Sequence, residues 1–379
     1  MTTDIAIAGI GAVAEAHAMS LADIEGATLV AGSCRTESRG REFADEFDCT
    51  WYGDTAEMLD AESPDVLHVC TPSGAHLQPT LAAAERGVDV LCEKPLEITT
   101  ERIDEMVAAA DEAGIRLGGI FNQRFNPVVR QLHAAASDER FDDLAVANAY
   151  VPWWREDDYY DGAWQGTEEL DGGGALMNQS IHGIDAVQWL AGAAGADGVA
   201  GGADAAGADG VAGGAGAGDS GGDNPVEEVF AYTDTRAHED DIVEVEDTAV
   251  AVLRYRDGTL GQILGATSMY PGSLKRVQLA GRGGTAEILE DELVTWQFRE
   301  ERDDDAAVRE RFGETESGGG AADPMSIDYA NHRRNIEAFL DARASGEDYL
   351  LDASEARKAV EIIEAIYESA ERGVPVRLD

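Results

Sequence analysis

The chain has 379 residues, of which 75 are Asp or Glu and 28 are Lys or Arg, for a formal net charge of −47. A surface this negative repels phosphate backbones and anionic membranes, and no apolar run is long enough to span a bilayer, so nucleic-acid and membrane partners are excluded. Only three of the basic residues are lysine, Lys94, Lys275 and Lys358; this composition predicts a halophilic protein, because in multimolar salt the Debye length falls to about 3 Å or less and self-repulsion is screened. With 44% apolar residues the chain still has a core to bury, and its length suggests two domains or one large one. The start, Met-Thr-Thr-Asp, has no basic and apolar leader. Cys34, Cys49, Cys70 and Cys92 form no CxxC pair or zinc spacing. The expectation is a reducing cytoplasm, buried thiols and no metal.

In chain order, the first 120 residues alternate short apolar strands with helices. Strands are read at 4–9, 28–33, 65–70, 88–92 and 115–120, and helices at 12–24, 37–47, 76–86 and 100–113, the last stopped by Gly114. Repeated βα units of this kind predict a parallel sheet covered on both faces. The first strand runs into Gly9-Ile10-Gly11-Ala12-Val13-Ala14, which is GxGxxA between a strand and a helix. Gly9 permits the tight turn, Gly11 lets backbone approach a pyrophosphate, and Ala14 allows close helix–strand packing. The helix N-terminus adds free N–H groups for an anion. At the end of the second strand there is no carboxylate to take a ribose 2′-hydroxyl; Ser33, Arg35 and Arg39 stand there instead. A hydroxyl and two guanidinium groups suit a 2′-phosphate, so the expected cofactor is NADP, with NAD possible.

Glu93-Lys94-Pro95 follows the strand at 88–92. Lys94 is one of three lysines and stands at a strand carboxyl end, where α/β sheets place ligands. Arginine serves as a general cation, but only an ammonium is a compact point donor that titrates when desolvated. Beyond residue 122 the pattern changes. Strands are read at 226–236, 242–255, 259–268, 275–280, 285–289 and 293–298, with a hairpin at Arg256-Asp257-Gly258, which predicts a mostly antiparallel sheet. Two helices, 331–343 and 353–371, close the chain. Residues 191–223 are almost wholly Gly, Ala and Asp with an internal repeat, and are read as a flexible insertion; 303–323 is read as a second loose segment.

On the α-helical period, Asn178 and His182 share a face, with Asp185 a further three residues on, within reach of the same imidazole. A histidine beside a carboxylate suits proton transfer. Arg124, and Arg155 and Trp164 within the aromatic stretch 152–164, are candidate substrate contacts, since aromatic faces stack on sugar C–H surfaces; the equal alternative is a hydrophobic anchor that holds this loop to the core. His17, His68, His133, His238 and His332 carry no comparable argument and are read as packing or surface residues.

AGIG near the start, CTPSGAH at 70–76, EKP at 93–95 and GGGALMNQSIHGID at 172–185 together resemble the Gfo/Idh/MocA oxidoreductases. The resemblance spans nearly the whole chain except the Gly/Ala/Asp insertion. It implies an N-terminal Rossmann dinucleotide-binding domain, 1–122, and a C-terminal α/β domain, 123–379, with a large, mostly antiparallel open sheet used for substrate binding and oligomerisation. It further implies an enzyme that transfers a hydride between NAD(P) and a secondary hydroxyl of a sugar, polyol or derivative. Lys94 would orient the substrate hydroxyl, His182 would be the acid/base, and Cys70, Thr71, Pro72, His76 and Glu93 would stand with the cofactor. Many members carry Asp where this chain has Asn178, an amide that cannot relay a proton; His182, oriented by Asp185 or a backbone carbonyl, then carries that role. The alternatives are a glycosidase that uses transient oxidation by bound cofactor and a non-catalytic NADP(H) sensor. A homo-oligomer is expected.

Overall fold

The structure, a computed structural model, describes residues 2–195, 223–239, 242–313 and 329–378. Two compact units emerge: Met1–Asn122 with Glu169–Gly172 and Ile327–Val360, and Gln123–Glu168 with Gly173–Ser326 and Glu361–Asp379.

The first unit begins with β1 (Thr3–Ala8), α1 (Ala12–Ala22), β2 (Ala27–Ser33), α2 (Glu37–Phe47), β3 (Thr50–Tyr52), α3 (Thr55–Glu62), β4 (Val66–Val69), α4 (Leu77–Ala84), β5 (Asp89–Cys92), α5 (Thr100–Ala113) and β6 (Leu117–Gly119). The strands form one sheet in the order β3-β2-β1-β4-β5-β6, and every pairing in it is parallel. Ile5 to Ala8 of β1 are wholly buried, as a parallel strand with helices on both faces requires. The strand order reverses beside β1, which opens a crevice at the carboxyl ends of β1 and β4 where ligands bind in such sheets. Helix ends follow the sequence: Thr99 accepts a hydrogen bond from Arg102 N at 3.3 Å to start α5, and Gly114 at φ 68° ends it. Strand β3 and helix α3 were not anticipated; Thr50–Tyr52 is too short to show a period, although Trp51 packs against the cluster of Ile7, Ile10 and Phe43.

The second unit carries α6 (Pro127–Ser137), β7 (Leu144–Pro152), a π-helical turn at Ala175–Ser180, α7 (Ile181–Gly195), β8 (Val226–Asp234), β9 (Thr248–Tyr255), β10 (Leu260–Ala266), β11 (Arg276–Gly281), β12 (Gly284–Leu289), β13 (Glu292–Phe298) and α8 (Asp305–Phe312). Near the end of the chain come α9 (Tyr329–Ser345), α10 (Ala353–Arg372) and β14 (Val376–Arg377). The sheet order is β13-β12-β11-β7-β10-β9-β8-β14; β7 and β10 run parallel and the other pairs antiparallel, as the alternating patterns predicted. Along β9 the alternation is strict, with Ala249, Ala251, Leu253 and Tyr255 buried. The hairpin between β9 and β10 turns at Gly258, φ 91°.

Three readings change. Residues 242–247 are not strand, because Asp247 turns its carboxylate onto the N–H groups of Arg236, Ala237 and His238. The segment after 303 is not all loose: α8 is fastened by Asp305, whose carboxylate accepts from Arg140, Trp296 Nε1 and Arg302 N at 2.6–2.7 Å. Helix α7 runs into the first five residues of the expected insertion, alanine being the strongest helix former; residues 196–222 lie outside the described ones. Of the two closing helices, α9 groups with the first compact unit and α10 divides after Val360. Helix α9 packs on α1, which a local sequence period cannot reveal. Among the described residues no helix is long and apolar enough to cross a membrane.

Candidate active site

In the first unit, the turn between β1 and α1 is set by glycine. Gly9 has φ 90°, and a Cβ there would lie 2.6 Å from Cys70 O and Thr71 N. Nothing lies within 4 Å of the Cβ position at Gly11. The first is demanded by the neighbouring β4 end, whereas the second leaves backbone N–H groups facing open space at a helix N-terminus. That is a cradle for a pyrophosphate, and a dinucleotide fits it. Ile10 and Ala14 point inward, into the cluster with Phe43, so Ile10 contributes backbone only; Ala12 and Val13 are half-buried in the first turn of α1. Ser33 is buried and its hydroxyl bonds Thr55 Oγ1 at 2.9 Å. Arg35 and Arg39 are exposed, and Arg39 Nη1 donates to Ile10 O at 3.4 Å, which sets its guanidinium over the glycine turn.

At the end of β5, Glu93 is buried rather than at the surface. Its Oε1 lies 3.0 Å from His17 Nε2 and 3.0 Å from His332 Nε2, and its Oε2 accepts from Lys94 N at 3.1 Å. Burial alone would push this carboxyl up, but the hydrogen bonds from the two imidazoles hold it well below the carboxylate range. Burial lowers His17, which favours the neutral ring. With Nε2–H donated to Glu93, His17 Nδ1 must accept, and His68 Nδ1, 2.9 Å away, must donate. His68 Nε2 then keeps its lone pair, with no partner among the described residues, and burial lowers His68 strongly. The donor atoms of His17, Glu93 and His332 lie within 4.8 Å of one another, close enough to hold an ion, but hydrogen bonds already account for the contacts. Sequence reading missed this set because its members are 76 and 239 residues apart.

Lys94 is half-buried and precedes a cis peptide to Pro95. Burial pushes its ammonium down, against the pull of Glu93 and Asp171. His76 is a staple rather than a surface group: it is buried, with Nδ1 2.9 Å from Pro95 O and Nε2 2.8 Å from Thr71 O. It ties the Cys70-Thr71-Pro72 loop to the turn that carries Lys94. Thr71 Oγ1 donates to Ala75 O at 2.9 Å, and burial raises the Cys70 thiol.

In the second unit, Glu246 shapes the approach to α7. Its carboxylate accepts from Gly174 N at 2.9 Å, Leu176 N at 2.8 Å and the Tyr367 hydroxyl at 3.0 Å. A Cβ at Gly174 would lie 2.0 Å from Glu246 O, so only glycine admits this approach. The following turn is π-helical through Ser180, so the α-helical spacing that put Asn178 on the face of His182 does not hold there. Asn178 Oδ1 instead accepts from Gln179 Nε2, which also reaches the Tyr159 hydroxyl, both at 2.9 Å. Gln179 Oε1 takes Arg155 Nη2 at 2.9 Å.

Arg155 is buried, lying over the rings of Trp153 and Tyr159; it anchors the aromatic segment from inside. Trp164 is half-buried. Arg124 is fully buried in a bidentate pair with Asp185, Nε–Oδ2 2.9 Å and Nη2–Oδ1 2.6 Å, and lies over Trp189. A sealed guanidinium leaves no group for a substrate hydroxyl; Arg124 and Asp185 fasten α7. His182, at the start of α7, is half-buried and lines a recess with Gln123, Tyr150, Lys275 and Glu290.

Residues 3–120 match the model of the oxidoreductase family with an NAD-binding Rossmann fold, and residues 143–378 match that family's C-terminal alpha/beta domain. The chain is 26% identical, over 98% of both lengths, to a D-xylose 1-dehydrogenase (NADP(+)) of Haloferax volcanii. It is 25% identical to a myo-inositol 2-dehydrogenase of Thermotoga maritima over 74% of this chain and 73% of that one. Among solved structures, the WlbA dehydrogenase of Bordetella pertussis, in complex with NADH and UDP-GlcNAcA, superposes with a TM-score of 0.83 at 27% identity, covering 100% of this chain and 98% of that one. With the glycine cradle, the 3-2-1-4-5-6 sheet order and both halves matched, the chain belongs to the Gfo/Idh/MocA oxidoreductase family and is a nicotinamide-dependent dehydrogenase.

Proposed function

We propose that the chain oxidises a secondary hydroxyl of a sugar or polyol with NADP, and reduces the ketone in reverse, with Lys94 and His182 as its catalytic residues. The observation that carries the reading is Lys94 itself, an ammonium at the carboxyl end of β5 whose burial lowers its affinity for a proton. Such a group donates strongly to an oxygen that gains negative charge. His182 takes the hydroxyl proton in oxidation and returns it in reduction. The bound nicotinamide supplies the hydride acceptor or donor. The chain's part is to hold the dinucleotide on the turn from Gly9 to Ala14, and Arg39, leaning on Ile10 O, supports NADP over NAD. The aldose and polyol dehydrogenases among the similar proteins support the substrate class.

The charge of −47 and three lysines support a salt-rich cytoplasm as the working environment. Tyr232, Val250 and Val252, exposed on β8 and β9, support a homo-oligomer in which a second copy covers this sheet face. The test is a panel of pentoses, hexoses, polyols and sugar acids with NADP⁺ or NAD⁺ in 3 M KCl, followed at 340 nm. Absorbance should rise in proportion to product. The Lys94→Ala variant should lose about 100-fold or more in kcat while NADPH binding persists. Cleaved product without absorbance change, or normal turnover in that variant, would overturn the reading.

A further inference from the structure

His238 is buried in the second unit, and both of its ring nitrogens face acceptors. Nδ1 lies 3.0 Å from Asp247 Oδ2, and Nε2 lies 2.9 Å from Arg155 O. Asp247 also accepts from the N–H groups of Arg236, Ala237 and His238 at 2.8–3.1 Å and from the Thr248 hydroxyl at 2.7 Å. Burial pushes this carboxyl up, but the bond from His238 and the other donors hold it well below the carboxylate range, so it only accepts. A backbone carbonyl only accepts as well. A neutral imidazole has a single N–H, so only the imidazolium satisfies both contacts. The surroundings agree: the bond to Asp247 raises His238 against the effect of burial, and the charge of Asp157 adds to the rise. Trp154, stacked at 5.7 Å, and Tyr160, edge-on at 5.1 Å with its hydroxyl on Thr267, bring no charge. Of the nearby cations, the Arg155 guanidinium is bonded to Gln179 and that of Arg236 to Asp234.

The two contacts differ in strength. A proton facing a carboxylate is held more firmly than one facing a neutral carbonyl. As pH rises, His238 therefore gives up Nε2–H and turns a lone pair toward Arg155 O. The link to Asp247 stays and the link to Arg155 opens. Arg155 passes the change on. Its Nη2 donates to Gln179 Oε1 at 2.9 Å, and Gln179 Nε2 donates to Asn178 Oδ1 and to the Tyr159 hydroxyl, both at 2.9 Å. Asn178 and Gln179 belong to the π-helical turn Ala175–Ser180, and α7 with His182 follows directly. A continuous set of bonds thus runs from Asp247 through His238, Arg155 and Gln179 to the turn that leads into His182.

We propose that His238 is a positioning residue: as an imidazolium it fixes Arg155, and through Arg155 and Gln179 the turn that sets His182 for proton transfer. This rests on the dehydrogenase reading with His182 as the base. The test measures kcat and KM from pH 6 to pH 10 for the panel member that is turned over fastest, in 3 M KCl. Wild type, His238→Phe, His238→Gln and Asp247→Asn are compared, with melting curves and NADPH titrations as controls. Phenylalanine keeps a ring against Trp154 and Tyr160 but removes both N–H groups. Glutamine offers an amide N–H near the Nε2 position and never titrates, and it is the variant that least disturbs the fold. Wild-type kcat should fall about 10-fold or more as His238 loses its proton, the scale of a misplaced catalytic group, with a smaller change in KM. His238→Phe should have the low rate throughout and meet the wild type at the alkaline end. His238→Gln should recover most of the rate and lack this limb, while the alkaline fall that belongs to Lys94 remains. Asp247→Asn should move the limb about one pH unit or more lower. Nitrogen-15 spectra of labelled histidine, assigned by the signal lost in His238→Gln, should show both ring N–H groups at pH 6 and a titration above the ordinary value of about 6.5. A His238 that titrates at or below that value, wild-type and His238→Phe profiles that stay parallel, or an unmoved limb in Asp247→Asn would overturn this role and leave the dehydrogenase reading intact. No turnover of any panel member would overturn that reading and this role with it.

Discussion

The pair of Arg124 and Asp185 is the sharpest stability prediction in the second unit. Both side chains are 0% exposed and meet through two bonds of 2.9 and 2.6 Å. At an effective dielectric of about 20, charges roughly 2.8 Å apart attract by about 6 kcal/mol, most of it offset by lost hydration. Removing one partner strands the other charge. Asp185→Leu should therefore cost about 3–5 kcal/mol. The double variant Arg124→Met/Asp185→Leu should recover most of that, because it strands nothing. Urea unfolding, followed by the fluorescence of Trp189 against Arg124, reports on this region. The coupling between the two changes should be the same in 0.5 M and 3 M KCl, since a sealed pair is not screened by bulk salt. A single variant that loses under about 1 kcal/mol, or a coupling that vanishes in high salt, would refute the assignment of Arg124 to the fold.

Gly9→Ala should destabilise the first unit, because its Cβ falls 2.6 Å from Cys70 O. Gly11→Ala should leave unfolding within about 0.5 kcal/mol yet weaken NADPH binding at least tenfold; calorimetry and melting curves separate the two. Arg39→Ala should weaken NADPH more than NADH, and equal losses in titrations of both cofactors would remove Arg39 from 2′-phosphate recognition. Stability should also fall in acid. His17 and His68 are lowered chiefly by burial, so the unfolded chain binds more protons than the folded one as pH drops below the ordinary histidine value of about 6.5. Each contributes stability that is full above that value and is lost as pH falls through the lowered folded one. The slope should reach about 1.4 kcal/mol per pH unit for each proton taken up. His238, raised by its bond to Asp247, acts in the opposite sense, toward higher pH. A urea midpoint constant from pH 7 to 5 would contradict the neutral, buried histidines.

What the sequence revealed and what it hid divide along the range of the interaction. The glycine turn, Lys94 and the βα units are local: a left-handed φ, a strand end and an apolar run each leave a mark within a few residues. The setting of Glu93 is not local, since His17 comes from α1 and His332 from α9, and nothing near either residue signals the meeting. Arg124 was misread for the same reason. A lone arginine near aromatics looks like a substrate contact until Asp185, 61 residues on, is found to saturate it. The π turn escaped because 3.6 was the period assumed, and only the Glu246 carboxylate, 70 residues away from Leu176, reveals how that turn is held. Lysine scarcity pointed to Lys94 because a motif framed it.

Arginine supplies the buried structural cations of the second unit, and its planar fork explains the choice: Arg124 and Arg140 each meet an aspartate through two bonds. Lysine at position 94 then has to do something a guanidinium cannot. Its ammonium is lowered by burial, against the pull of Glu93 and Asp171, so it is a stronger acid than an exposed lysine and offers its proton along a single axis. Lys94→Arg preserves the charge and adds bulk, and it removes both properties. The variant should bind NADPH but lose about 100-fold or more in kcat. The wild-type pH profile should fall on the alkaline side at a value below the ordinary lysine figure of about 10.4, as the needed proton is lost, and that limb should be absent from the residual activity of Lys94→Arg. An arginine variant with at least half the wild-type rate and an unchanged alkaline limb would mean that position 94 needs only a positive charge, and the case from lysine scarcity would fall with it.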